Sequence, residues 1–132
     1  MLHLNIHHVG YLVKKINAAK EEFEQLGFCL KQEIIQDDFR QVAICFMEKD
    51  GYVIELVSPF SPSSVVSGLM KKYKNCPYHI CYEAEHFEED LVYLTQNGYT
   101  AIDTPTPAPA LGGRRVVFLM SAVLGMIELL ES

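Results

Sequence analysis

The sequence predicts an α+β fold in which two copies of a βαβββ module pair into one curved mixed sheet with the helices outside. A short histidine-containing strand pattern occurs twice, as His7–Tyr11 and as Tyr78–Tyr82. A helix-like stretch follows each copy and ends at a glycine 19 positions after the histidine, counted from His8 and from His79. A strand containing Ile-Glu-Leu then closes each copy. Repetition of a whole supersecondary unit indicates a fold built from two copies of that unit.

The first module begins with an apolar, histidine-rich strand over residues 3–13. Asn17 is expected to cap a helix whose apolar residues recur with helical spacing, and Gly27 is expected to end it. The Lys49–Gly51 segment is a hairpin signal between two strands. The three strands predicted after the helix are Cys29–Ile35, Gln41–Met47 and Tyr52–Val57. This order gives the βαβββ module.

The second module repeats the order. The Tyr78–Glu83 segment is a predicted strand, and the helix after it ends at Gly98. A short strand over Tyr99–Ile102 follows. The proline-rich Thr104–Pro109 segment is expected to be an extended loop outside any central ladder, because proline has no N–H to donate. The two strands predicted to complete the module are Arg114–Met120 and Met126–Leu130.

We interpret the 132 residues as a single domain, with module one at about 1–60, a linker helix at about 61–75 and module two at about 76–132. The net charge of −6 argues against a nucleic-acid partner, which would require a basic face. No apolar stretch approaches the roughly 18 residues of a membrane-spanning helix. The N-terminus lacks a signal-peptide pattern, and the four cysteines show no Cys-x-x-Cys spacing. We therefore expect a cytoplasmic protein with reduced cysteines and no membrane association.

One histidine and one glutamate occupy matched places in each module. Glu55 follows His8 by 47 positions, and Glu128 follows His79 by 49. The isoleucine and leucine beside each glutamate should face the helices, so the two carboxylates should face each other on the other side of the sheet. Facing buried carboxylates require a proton or a cation between them. A lone strand histidine is usually a packing or surface residue, but the repetition favours a single site for one divalent metal, with two nitrogen and two oxygen ligands that suit Zn, Ni, Co or Mn. His7 should then point to the helix layer or an interface.

These segments resemble the vicinal oxygen chelate superfamily, which includes glyoxalases, bleomycin-resistance proteins, extradiol dioxygenases and methylmalonyl-CoA epimerases. The chain is most similar to the methylmalonyl-CoA epimerase branch and its compact glyoxalase-like relatives. The resemblance covers nearly the whole length. The segments that carry it are His7–Val13, Ile54–Pro59, Tyr78–Glu83, Gly113–Leu119 and Ile127–Leu129.

The resemblance implies that His8, Glu55, His79 and Glu128 bind one divalent metal and that the reaction removes a proton next to a carbonyl. Glu128 is assigned as the ligand that doubles as the base, and Glu55 as the matching group on the opposite side. Asp38 is the first alternative base if both glutamates are only ligands.

The leading hypothesis is a metal-dependent epimerase or isomerase acting on an acyl thioester such as methylmalonyl-CoA, with Arg40, Arg114 or Arg115 near the anionic group of the substrate. A second hypothesis is a glyoxalase-type lactoylglutathione lyase acting on a thiol adduct of a 2-oxoaldehyde. A third is a non-catalytic binding protein of the bleomycin-resistance type, which the four ligands disfavour because such modules generally lack them. A ring-cleaving dioxygenase is less favoured, because its iron site usually has two histidines and one carboxylate. By analogy with relatives of this size, we also expect a homodimer.

Overall fold

The computed structural model describes residues 2–132, which contain nine strands of one mixed sheet and three helices. The order β-α-β-β-β occurs twice along the chain, with one additional two-residue strand in the second copy, so the predicted fold class is confirmed. The described strands are β1 (Leu4–Leu12), β2 (Cys29–Asp37), β3 (Val42–Lys49), β4 (Tyr52–Pro59), β5 (Cys76–Ala84), β6 (Tyr99–Ala101), β7 (Thr106–Pro107), β8 (Arg115–Ser121) and β9 (Gly125–Glu131). The described helices are α1 (Ile16–Gln25), α2 (Ser67–Tyr73) and α3 (Phe87–Gln96).

The chain divides into two compact units, whose boundaries fall inside β1 and β5. The first unit is Val9–Tyr78, and the second unit is the segment up to His8 together with His79–Ser132. None of the three described helices combines the length and hydropathy needed to cross a bilayer.

In the first unit the strands are ordered β2-β3-β4-β1, with β4 antiparallel to β3 and parallel to β1. Glu55 lies in β4 between two partners, Gly10 of β1 and Phe46 of β3. Its neighbours Ile54 and Leu56 pack in the apolar core that also contains Ile16 and Phe23 of α1. The prediction that they face the helix is confirmed.

The start of α1 differs from the prediction. The helix begins at Ile16 after Lys15, and Asn17 lies inside it as the second residue, so Asn17 is not the N-cap. Ile16 is buried in the core. Burial of an isoleucine stabilises by about 1.5–3 kcal/mol, whereas a side-chain cap contributes about 1 kcal/mol, so packing sets the start of this helix. The predicted end is confirmed, because Gly27 takes a φ of 97° just after the helix.

In the second unit the strands are ordered β5-β9-β8-β6, and β9 is parallel to β5 and antiparallel to β8. Glu128 of β9 lies opposite Cys81 of β5 and Phe118 of β8. Ile127 and Leu129, on either side of the glutamate, are buried against α3 as predicted. They belong to an apolar cluster whose buried members are Ala84, Phe87, Leu94, Val117, Leu119, Ile127 and Leu129.

The proline-rich segment is more ordered than predicted. Thr106–Pro107 forms the short strand β7 on β8, and Pro109–Leu111 forms one turn of 3₁₀ helix. Pro107 has no N–H to donate to β8, but the next residue makes such a hydrogen bond. The N–H of Ala108 donates to the carbonyl of Arg114 at 2.9 Å. A proline is tolerated in so short a strand at the margin of a sheet. The prediction that this segment stays out of a central ladder is therefore confirmed, and the prediction that it is an extended loop is wrong.

Candidate metal and active site

Three of the four predicted ligands meet inside the second unit. Nε2 of His8 lies 3.3 Å from Oε1 of Glu128, and Nε2 of His79 lies 3.1 Å from the same oxygen. The two Nε2 atoms are 3.4 Å apart. The relative exposure is 1% for His8 and 4% for both His79 and Glu128. Two imidazole nitrogens and one carboxylate oxygen therefore converge on a single buried point.

The pKa of Glu128 is set by two opposing influences, its burial and its two histidine neighbours. Burial alone would raise the pKa of this carboxyl, but His79 and His8 outweigh burial and hold the pKa below its usual value. Among the residues that the structure describes, Oε1 makes no well-oriented hydrogen bond although both imidazoles lie close. Ring nitrogens and carboxylate oxygens gathered at one buried point suit a cation, and imidazole with carboxylate is a donor set that Zn²⁺ and similar ions accept. The residues present fit a divalent metal.

Phe118 borders this group and was not singled out from the sequence. It lies opposite Glu128 in the β8–β9 ladder, and its ring centroid is 5.1 Å from that of His79, edge to face at 83°. The ring restricts rotation of the His79 imidazole and covers it with an apolar surface. The only sequence signal was its place in the strand after the two arginines, which does not by itself indicate a role.

Glu55, the fourth predicted ligand, is held in the first unit. It is 5% exposed and lies in β4 beside Gly10, two residues after His8 in β1. Gly10 offers no side chain beside the carboxylate of Glu55. We retain Glu55 as a ligand within the function proposed below.

All three predicted substrate-binding arginines form ion pairs. Arg40 donates to Asp37 in the first unit, with Nη1 2.8 Å from Oδ2. Arg115 donates through Nη2 to Glu131 and Glu88, both at 2.7 Å, and its guanidinium lies 5.0 Å from the ring centroid of Phe87 in α3. Hydrogen bonds from Arg115 hold the pKa of Glu131 below its usual value. Arg115 therefore lies on the α3 side of the sheet, opposite to Glu128.

Arg114 occupies a different place. Its Nη1 donates to Oε2 of Glu83 at 2.6 Å, and its Nη2 lies 3.5 Å from Nε2 of His7. The other ring nitrogen of His7, Nδ1, is 2.9 Å from Nδ1 of His8. His7 does not point to the helix layer, because its ring contacts the ring of a predicted ligand, and its place at an interface stays a prediction.

The match to a known family covers most of the chain, since residues 7–118 match the Glyoxalase/Bleomycin resistance protein/Dioxygenase superfamily. The chain belongs to this superfamily. The resemblance inferred from the sequence is thereby confirmed, and the superfamily includes many enzymes. Its members often bind a divalent metal, and the convergence of His8, His79 and Glu128 provides a possible site for one. No curated protein sequence gives a significant match.

Solved structures support the same fold. A hypothetical protein from Bacillus halodurans C-125 is 26% identical with a TM-score of 0.86, over 98% of this chain and 94% of that one. Methylmalonyl-CoA epimerase from Mycobacterium tuberculosis is 22% identical with a TM-score of 0.83, over 96% and 86% of the two chains. A Streptomyces coelicolor methylmalonyl-CoA epimerase variant in complex with 2-nitronate-propionyl-CoA is 20% identical with a TM-score of 0.83, over 100% and 99%. At 22% and 20% identity, these two matches show that the chain shares the fold of the two epimerases.

Proposed function

We propose that this protein is a divalent-metal-dependent epimerase or isomerase that removes a proton next to a thioester carbonyl. The observation that carries the proposal is the convergence of His8 Nε2, His79 Nε2 and Glu128 Oε1 within 3.1–3.4 Å of one another. Glu55 is assigned as the fourth ligand. The substrate class is supported by epimerases of the same fold, one of them in complex with methylmalonyl-CoA.

Each residue has a distinct task in this proposal. A divalent ion held by His8, Glu55, His79 and Glu128 would supply a Lewis acid for the substrate carbonyl. Glu128 presents Oε1 to the two histidines, which leaves its other carboxylate oxygen to take the proton. Glu55 returns a proton on the opposite face, as inversion at carbon requires. Phe118 keeps water from the imidazole of His79, which strengthens electrostatic interactions at the site.

The substrate is proposed to be an acyl-CoA that carries an anionic group. Of the three arginines predicted to bind it, Arg114 is the one in contact with His7, next to a ligand. Arg114 already pairs with Glu83, so a substrate carboxylate would share or replace that partner. Arg115 stands on the α3 side and Arg40 is paired with Asp37, so both would have to exchange their present carboxylate partners to take part. We further propose that the protein acts as a single-domain enzyme in the cytoplasm.

Solvent deuterium exchange tests the function. Protein loaded with Zn²⁺, Ni²⁺, Co²⁺ or Mn²⁺ is incubated in deuterated water with methylmalonyl-CoA, and separately with methylglyoxal plus thiols. We expect deuterium at the carbon between the thioester and the carboxylate, at a rate well above that of chelator-treated protein. If the protein converts only the thiol adduct and not methylmalonyl-CoA, it is a glyoxalase-type lyase and the proposed epimerase activity is wrong. Metal binding with neither reaction would indicate a non-catalytic binding protein.

We also predict that the protein is a homodimer. Phe39 and Val65 are about three-quarters exposed and Phe60 is 44% exposed. The loops that carry them are joined, since Oγ of Ser64 donates to the carbonyl of Arg40 at 3.0 Å. Grouped exposed apolar side chains favour association, and a second copy of the chain is the proposed partner. Sedimentation at micromolar concentration should give about twice the chain mass of 15.0 kDa, and a species of 15.0 kDa would contradict the prediction.

A further inference from the structure

We propose that His7 is a positioning residue, which fixes the orientation of the His8 imidazole and determines which of its nitrogens carries the proton. Nδ1 of His7 lies 2.9 Å from Nδ1 of His8, and the rings meet edge to face with centroids 5.1 Å apart. The other nitrogen of His8, Nε2, faces Glu128. This inference rests on the metal site proposed above, because it concerns the far side of one of its ligands.

His7 is itself held in place by a fixed guanidinium. Nη2 of Arg114 lies 3.5 Å from Nε2 of His7. Arg114 is anchored at two other points, since its Nη1 donates to Glu83 at 2.6 Å and its Nε donates to the carbonyl of Leu111 at 3.2 Å. A contiguous row of polar contacts therefore runs from Glu83 through Arg114 and His7 to His8.

The chemistry of the row sets the positions of the protons. A guanidinium only donates, so His7 accepts from Arg114 on Nε2 and carries its own proton on Nδ1. That proton is donated to Nδ1 of His8, which places the proton of His8 on Nε2, facing Glu128. In the metal-free protein His8 is therefore the Nε2–H tautomer.

A metal held at Nε2 of His8 would reverse this arrangement without breaking the contact between His7 and His8. A ligating imidazole nitrogen must present its lone pair, so the proton of His8 would lie on Nδ1. Nδ1 of His7 would then accept it across the same 2.9 Å contact, and the proton of His7 would lie on Nε2. The 3.5 Å hydrogen bond from Arg114 to that nitrogen would be lost, while Arg114 stays anchored by Glu83 and the carbonyl of Leu111. An imidazole serves in both states because its nitrogen can donate or accept. Groups that orient ligating histidines in this way typically contribute about 10–100-fold to metal affinity.

The two modules differ at this point. In the repeat, Tyr78 precedes His79 where His7 precedes His8. His79 is instead bordered by the ring of Phe118. The contact between adjacent imidazoles at His8 therefore has no counterpart in the sequence before His79.

A pair of substitutions tests the role of His7 through Zn²⁺ affinity, measured by competition with a chromophoric chelator. His7→Leu removes the polar atom, and His7→Asn restores an acceptor near the place of Nδ1. We expect about 10–100-fold weaker Zn²⁺ binding for His7→Leu and recovery of most of that loss by His7→Asn. The two variants should have the same thermal unfolding temperature without metal, so that a difference in Zn²⁺ affinity does not come from a difference in stability. Wild-type affinity in His7→Leu, or equal losses in both variants, would overturn the proposal.

A second measurement does not depend on the metal. ¹⁵N NMR of the metal-free protein should show His8 protonated on Nε2 in the wild type and a mixture of tautomers in His7→Leu. An unchanged His8 tautomer in the variant overturns the role of His7, whatever the zinc result. If the wild type shows the fixed tautomer and takes up no Zn²⁺, the proposed function fails and the positioning role stands.

Discussion

Replacement of His79 by alanine should leave the protein unable to retain its metal. Nε2 of His79 is 3.1 Å from Oε1 of Glu128 and 3.4 Å from Nε2 of His8, so its removal takes away one of the converging ligand atoms. Zinc-type sites typically require at least three protein ligands and lose affinity steeply as ligands are removed. Elemental analysis after gel filtration should show about one metal per chain in the wild type and little in the variant.

The matched control for this experiment is His86→Ala. His86 is an exposed histidine just before α3, so its removal changes the histidine content of the protein without touching the site. We expect this variant to keep its full metal content. Circular dichroism of both metal-free variants should show the same secondary structure, which separates loss of a ligand from loss of the fold. Full stoichiometric metal in His79→Ala would refute the assignment of His79 as a ligand.

Replacement of the proposed base Glu128 by glutamine should strongly slow deuterium exchange into the substrate. Glu128→Gln keeps an oxygen that can ligate and nearly the same shape, but removes the carboxylate that takes the proton. General-base catalysis contributes typically about 10²–10⁴-fold, so deuterium exchange into methylmalonyl-CoA should fall by that factor while metal remains bound. The comparison variant is Glu55→Gln. It should retain more of the exchange and lose turnover, because Glu55 is assigned to return the proton.

The substitutions of Glu128 and Glu55 are thus predicted to have different effects on deuterium exchange. Metal content is measured in both variants, so that a loss of exchange is not confused with a loss of metal. Equal and small effects from both substitutions would mean that Glu128 and Glu55 are ligands only and that the base lies elsewhere. Asp38 would then be the next residue to replace. Its neighbour Asp37 is committed to Arg40 through an ion pair of 2.8 Å, which makes Asp37 a poor alternative.

Much of this architecture could be predicted from periodicity. The alternation around Glu55 and Glu128 correctly assigned Ile54 and Ile127 to the helix side, because residues two apart in a strand share a face wherever the strand lies. The Asp-Gly turn before β4 was also predictable, and Asp50 takes the positive φ that such a two-residue hairpin requires. These features depend on neighbours in sequence.

Other features depended on packing between distant segments. The start of α1 at Ile16 follows from burial of that side chain in a core to which β3 and β4 also contribute. The two-residue strand at Thr106–Pro107 exists because β8 offers it a ladder partner. Neither is visible in local propensity, which favoured a cap at Asn17 and an extended loop.

The sequence by itself determined the repeated module, the class of fold and the recurrence of one histidine and one glutamate in each module. The tertiary structure alone decided which atoms meet around Glu128, that Phe118 borders His79, and that Arg115 faces α3 while Arg114 reaches His7. A repeat is a property of the chain and can be read along it. Contacts between side chains depend on the register of strands far apart in sequence, where a shift of one residue exchanges the faces of a sheet.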